Sequence, residues 1–136
     1  MLRVLRMLFS RNSAPLRGAP SQRLKHYASQ SGHHYEYCYE GYRPYRSRTD
    51  SGTEFVFRIS ADRKTGPTAG VFLSAGVLHA WEQSHGREFS AAERYAIAKI
   101  ALFQAFDERA GPAEMRADVR VRAADLDAIV AALNIE

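Results

Sequence analysis

Hydrophobic and polar positions alternate first at residues 35–40, where Tyr35, Tyr37 and Tyr39 share one face and Glu36 and Glu40 the other. Period-two alternation of aromatic and acidic residues is the pattern of a half-buried strand. Pro44, a few residues on, argues against a central strand continuing there, because proline cannot donate to a ladder. Residues 41–48 are therefore expected to form a loop, and Asp50-Ser51-Gly52 a turn. Alternation resumes with Phe55, Phe57 and Ile59 facing inward, and a polar turn over 61–66 leads into an apolar stretch at 69–73. A hairpin follows from that order.

The periodicity then changes from two to 3.6. Ser74 stands where it can N-cap a short helix over 75–85, Gly86 stands at its C′ position, and Val77, Leu78 and Trp81 form its apolar stripe. The next helix is the clearest element. Ser90 and Glu93 have the capping-box spacing, and Gly111-Pro112 stops a helix running from 91 to about 109. Tyr95, Ala98, Leu102 and Phe106 line one face, while Ile97 and Ile100 point nearly opposite. A helix apolar on two sides packs on two sides. The second side is expected to meet another element or a partner. Residues 115–121 alternate again, and Leu126, Ile129, Val130 and Leu133 mark a last amphipathic helix with Asp125 and Asp127 near its start. The order β-β-β-α-α-β-α predicts an α+β fold, with a small, mostly antiparallel sheet of about four strands packed by two to three helices.

Charge divides the chain. The first acidic residue is Glu36, and Arg3, Arg6, Arg11, Arg17, Arg23 and Lys25 precede it, so the leader carries +6, the remainder −2, and the net +4 belongs to the leader. A basic globular surface does not follow from the overall pI. Residues 1–32 are expected to be a basic, unfolded arm, and 33–136 a single α+β domain. Leu2, Leu5, Leu8 and Phe9 share one side of a helix with Arg3 and Arg6 largely off it. This segment resembles a mitochondrial transit peptide, which is amphipathic, rich in Arg and Ser, and poor in acids. The resemblance implies the mitochondrial matrix; without import, the cytoplasm is expected. No apolar run reaches the roughly 20 residues of a membrane span, and the single cysteine, Cys38, excludes an intrachain disulfide and a Cys-rich zinc site.

Candidate chemistry is sparse. His79, Glu82 and His85 offer one Glu-x-x-His pair, whereas carboxylate-bridged metal bundles use two pairs and further carboxylates. His85 at a helix C-terminus favours the dipole without any metal. No metal or cofactor is expected, these three being the weak candidates. The sequence contains none of the glycine-rich, nucleophile-elbow or zincin motifs that would carry catalysis, and Asp107-Glu108 reads as solvated charge. The stretch Tyr42, Arg43, Tyr45, Arg46 and Arg48 combines stacking surfaces with cations, as single-stranded RNA or a protein partner would use. The resulting reading is a small non-catalytic accessory or interaction protein, a subunit or scaffold of a larger assembly, with a protein partner or a second copy on the Ile97 and Ile100 face. An RNA- or ribosome-associated protein using the arm and the Tyr/Arg stretch is the first alternative. A metal-dependent enzyme using His79, Glu82 and His85 is the second.

Overall fold

A computed structural model describes residues 14–18, 23–61 and 64–134. The rest of the expected leader, and with it the transit-peptide segment, lies outside the described residues. The described residues form an α+β fold, with a mixed five-stranded sheet and three helices among them. Strands β1 (Lys25–Ala28), β2 (His34–Arg46), β3 (Ser51–Ala61) and β4 (Lys64–Ser74) form an antiparallel meander. Helices α1 (Ala75–His85) and α2 (Ala91–Glu108) and a 3-10 turn (Pro112–Arg116) then carry the chain to β5 (Val119–Val121), which lies parallel to β4. Helix α3 (Ala123–Leu133) closes the fold. The strand order is β1-β2-β3-β4-β5. The parallel step follows from the helical crossover, since a parallel neighbour cannot be reached by a tight turn.

The expected fourth strand count rises to five because the sheet begins inside the segment expected to be an arm. Lys25–Ala28 pairs with His34–Tyr37 through a turn whose Gly32 has φ +92°. Sequence pattern misses this strand because four residues show too little alternation. Tertiary contacts hold it. Tyr27 stacks on Phe103 at 4.4 Å, and its hydroxyl donates to Asp107 Oδ2 at 2.7 Å. That bond, followed by burial and the carboxylate charge, pushes the Tyr27 pKa up to about 12. The backbone N–H of Gln30 donates to Asp107 Oδ1, and Ser31 Oγ donates to the Phe106 carbonyl. Asp107 is thus a structural acceptor and not merely solvated charge.

Pro44 does not end β2. The strand runs to Arg46, with Pro44 opposite Thr53. Tyr42, two residues earlier, sends its N–H and C=O outward to Arg17. Pro44 therefore presents its missing N–H on the same outer edge, away from β3, and costs the ladder nothing. Between Tyr39 and Gly41 the register slips by one residue. This bulge reverses the parity of the strand. Before it, Tyr35, Tyr37 and Tyr39 face the helices; after it, Tyr42 does, while Arg43 and Tyr45 face the opposite side. Gly41 permits the slip: its φ is +133°, and a Cβ there would sit 2.6 Å from the Arg17 carbonyl oxygen.

The core lies between the sheet and the helices. Tyr35, Phe57, Ile59, Val71 and Leu73 from the strands meet Leu102, Phe106, Ile97, Leu126 and Ile129 from the helices. Helix α2 is capped as its sequence implies: Ser90 Oγ accepts from the Glu93 N–H, and Glu93 Oε1 accepts from the Ser90 N–H. Residues 115–121 are not one strand. Met115 is fully buried within the 3-10 turn, and only Val119–Val121 pair. Arg109 fixes this connection by donating to the carbonyls of Glu114, Ala117 and Asp118.

Candidate functional site

The bulge in β2 has a direct consequence for the surface. It sets Tyr39 and Tyr42 on the same face although they are three residues apart. Across them stand Thr53 and Phe55 of β3 and the first two turns of α2, with Ala91, Ala92, Arg94 and Tyr95. Gly18 completes the wall, and together these residues enclose a groove of about 540 Å³. That size falls within the range of ligand-binding clefts. Space exists because Ala91 and Ala92 are small where the helix approaches the sheet. Gly18 (φ +83°) passes so close to Tyr42 that an added Cβ would come within 3.1 Å of its ring.

The walls are aromatic. Tyr39 meets Tyr95 edge-on at 4.8 Å, Tyr42 lies 6.1 Å from Phe55, and Phe55 lies 6.5 Å from Tyr95. Burial, then the neighbouring Tyr95 and Tyr42, push the Tyr39 pKa up to about 12, and burial also raises that of Tyr95. Both hydroxyls therefore stay protonated at neutral pH and act as neutral donors and acceptors, not as bases. Tyr42, 38% exposed, forms the open side. Among the described residues that line the cleft, Arg94 is the cation. It lies 3.8 Å from Glu82 Oε2, an oxygen already accepting the Phe89 N–H at 2.7 Å. Its ion pair is long and shared, which leaves the guanidinium able to meet a second anion. The groove can hold an apolar body and pair an acidic group at its end.

The Tyr/Arg stretch is divided by the sheet. Tyr42 faces the groove. On the other face, Arg43 Nε donates to the buried Glu54 at 2.9 Å, and Tyr45 donates to Asp50 Oδ2 at 2.6 Å while meeting Phe72 edge-on. Arg46 and Arg48 are exposed. These five residues do not form one loop surface, because a strand sends neighbours to opposite faces. The Ile97 and Ile100 side of α2 is also occupied within the chain: Ile97 is fully buried and Ile100 packs against the core. His79, Glu82 and His85 do not converge. His85 stacks on Trp81 at 4.0 Å, and Glu82 serves the backbone of Phe89. Among the described residues, no group of three or more His, Cys, Asp or Glu side chains could hold a metal ion, and no helix is long and apolar enough to cross a membrane.

No family model matches this chain, and no curated protein or solved structure matches it either. Of the groove residues, sequence reasoning singled out only Tyr42. Tyr39 and Tyr95 read as ordinary core-facing positions, and nothing in the chain order brings 39, 55 and 95 together. The one available signal was the odd spacing of Tyr39 and Tyr42 around Gly41.

Proposed function

We propose that this chain is a non-catalytic accessory or interaction protein whose contact site is the aromatic groove between β2, β3 and the start of α2. The observation that supports it is the composition of that cleft: apolar rings, protonated tyrosine hydroxyls and a bordering arginine in about 540 Å³. Tyr and Arg are the residues that dominate binding at protein interfaces. The occupant that fits is one apolar anchor of a protein partner, with a carboxylate placed to meet Arg94. The acid-free leader adds mitochondrial import to this reading. In an assembly, the rings exclude water around the anchor and the arginine sets its orientation.

Photo-crosslinking tests the proposal. A benzophenone amino acid replaces Ala92 in the groove, and in a control it replaces the exposed Ala124 on α3. Irradiation in cells of origin should give one dominant adduct to another chain at position 92 and none of it at 124. Tyr42→Ala should weaken that complex by about 2 kcal/mol, roughly 30-fold. Equal labelling at both positions, or adducts confined within the chain, would discard the groove as the contact site.

A further inference from the structure

The outer face of the β1–β2 hairpin carries a second constellation, independent of the groove. The register pairs His26 with Glu36 and Ala28 with His34. His26, His34 and Glu36 therefore project from the same side, opposite to Tyr27 and Tyr35. His26 Nδ1 and His34 Nε2 are 3.1 Å apart, and the ring centroids 5.2 Å. Both side chains are exposed. Glu36 Oε2 lies 3.7 Å from the same His26 nitrogen.

We infer that His26 and His34 form a two-histidine binding site for a divalent transition-metal ion, zinc foremost, which staples β1 to β2. Zinc binds imidazole nitrogen at about 2.0–2.1 Å, so two such nitrogens on one tetrahedral ion stand about 3.3 Å apart. The observed separation is close to this, and exposed rings on adjacent strands reach it by small rotations. Imidazole suits zinc, copper and nickel, whereas calcium and magnesium prefer oxygen. Water completes the coordination, which the exposed position allows. Glu36, whose Oε2 stands 3.7 Å from His26 Nδ1, adds negative charge beside the ion. His33, adjacent in sequence, faces the other way. Its Nε2 contacts the Ala110 carbonyl at 2.9 Å and its ring meets Tyr35 edge-on.

The site has a structural use. β1 is four residues long and ends the sheet. Short end strands open at little cost. Without metal, the two rings share a single hydrogen bond, one donating and the other accepting. An ion bound by both rings closes the hairpin across the turn at 29–33. Because both nitrogens must be unprotonated to bind, and both rings must be on paired strands, the ion favours the folded hairpin over the open one.

The test uses the full chain without an affinity tag, freed of metal by chelator, and zinc chloride as the probe. Calorimetry should give one zinc per chain, and the melting temperature should rise with zinc concentration. His26→Ala and His34→Ala should each weaken binding by more than about tenfold and remove the rise. His26→Gln keeps a hydrogen-bonding group but no ligand nitrogen. It should melt as the metal-free chain does and lose the response to zinc, which separates lost ligation from lost folding. His79→Ala should bind as the unaltered chain. No binding at millimolar zinc, binding that survives both His26→Ala and His34→Ala, or binding abolished by His79→Ala would each overturn the inference.

Discussion

Replacing Phe106 with alanine removes the ring on which the β1–β2 side of the core is built. Phe106 is fully buried. It stacks on Tyr35 at 4.1 Å and 13°, and lies within 5.7 Å of Tyr27 and 6.2 Å of Tyr37. Loss of a buried phenylalanine costs about 3–5 kcal/mol, through lost transfer energy and the cavity left behind. That is a large part of the roughly 5–15 kcal/mol a domain has available, and corresponds to a fall in melting temperature of roughly 10–20 °C. Phe106→Leu, which keeps most of the volume, should cost about 1.5 kcal/mol and serves where the alanine variant does not fold. The stack itself is measured with Tyr35→Leu. Singly and together with Phe106→Leu, the variants should show a coupling of about 0.5–1.5 kcal/mol. Urea unfolding followed by Trp81 fluorescence and far-ultraviolet circular dichroism supplies each value. Trp81 is a suitable reporter because it is buried in the same core. A cost below about 1 kcal/mol for Phe106→Ala, or additive leucine variants, would refute the reasoning that α2 and β2 share one aromatic core.

The other expectations address α2. Ile97→Asp places a carboxylate in a fully buried position and should prevent folding, seen as loss of the sigmoidal melt; a variant with unaltered melting and only a lost complex would restore Ile97 to a partner surface. Ser90→Ala removes the N-cap and should cost about 1 kcal/mol, checked by urea unfolding. Glu93 is held down from 4.5 to about 2 by its bonds from Arg87 and from the Ser90 N–H. A depressed carboxylate stabilises the fold above its unfolded pKa, so this contribution is lost as pH falls from about 4.5 to 2. Arg87→Gln should flatten the pH dependence of the melting temperature in that window. Some slope should persist, because Asp50 and Asp125 are also depressed; an unchanged profile would show that the Arg87 pair does not hold Glu93.

Elements whose signals are local were legible in the chain. The Ser90/Glu93 box and the Ser74 and Gly86 caps specify α2 and α1 through contacts a few residues apart. Periodicity likewise exposed β3 and α3. Other elements depend on what lies across the sheet. β1 exists because Tyr27 finds Phe103 and Asp107, some 80 residues away. Pro44 remains within β2 because its edge is the outer one, and strand order decides that. Period marks Ile97 as apolar on a second side of α2, but a sequence does not say whether its own chain or another buries that side, and in the structure Ile97 is fully buried. β5 is shorter than its alternation implied because Arg109 gathers three carbonyls and holds residues 112–116 in a 3-10 turn.

The groove shows why site residues were harder to read than core residues. A core position announces itself by period, since every inward residue obeys the same alternation. The groove arises where alternation fails. One extra residue at the bulge moves Tyr42 to the inner face and sends Arg43 and Tyr45 outward, so a stretch that looks like a single Tyr/Arg surface serves three separate purposes. Tyr42 opens the groove, Arg43 balances the buried Glu54, and Tyr45 joins Ser74 on Asp50. Gly41 marks the slip. A backbone at φ +133°, with the Arg17 carbonyl where a Cβ would stand, tolerates no other residue without strain. Gly41→Ala should therefore shift the bulge or detach the 14–18 segment. Either movement would rearrange Tyr39 and Tyr42 together and close the groove, while the aromatic core around Phe106 stays in place.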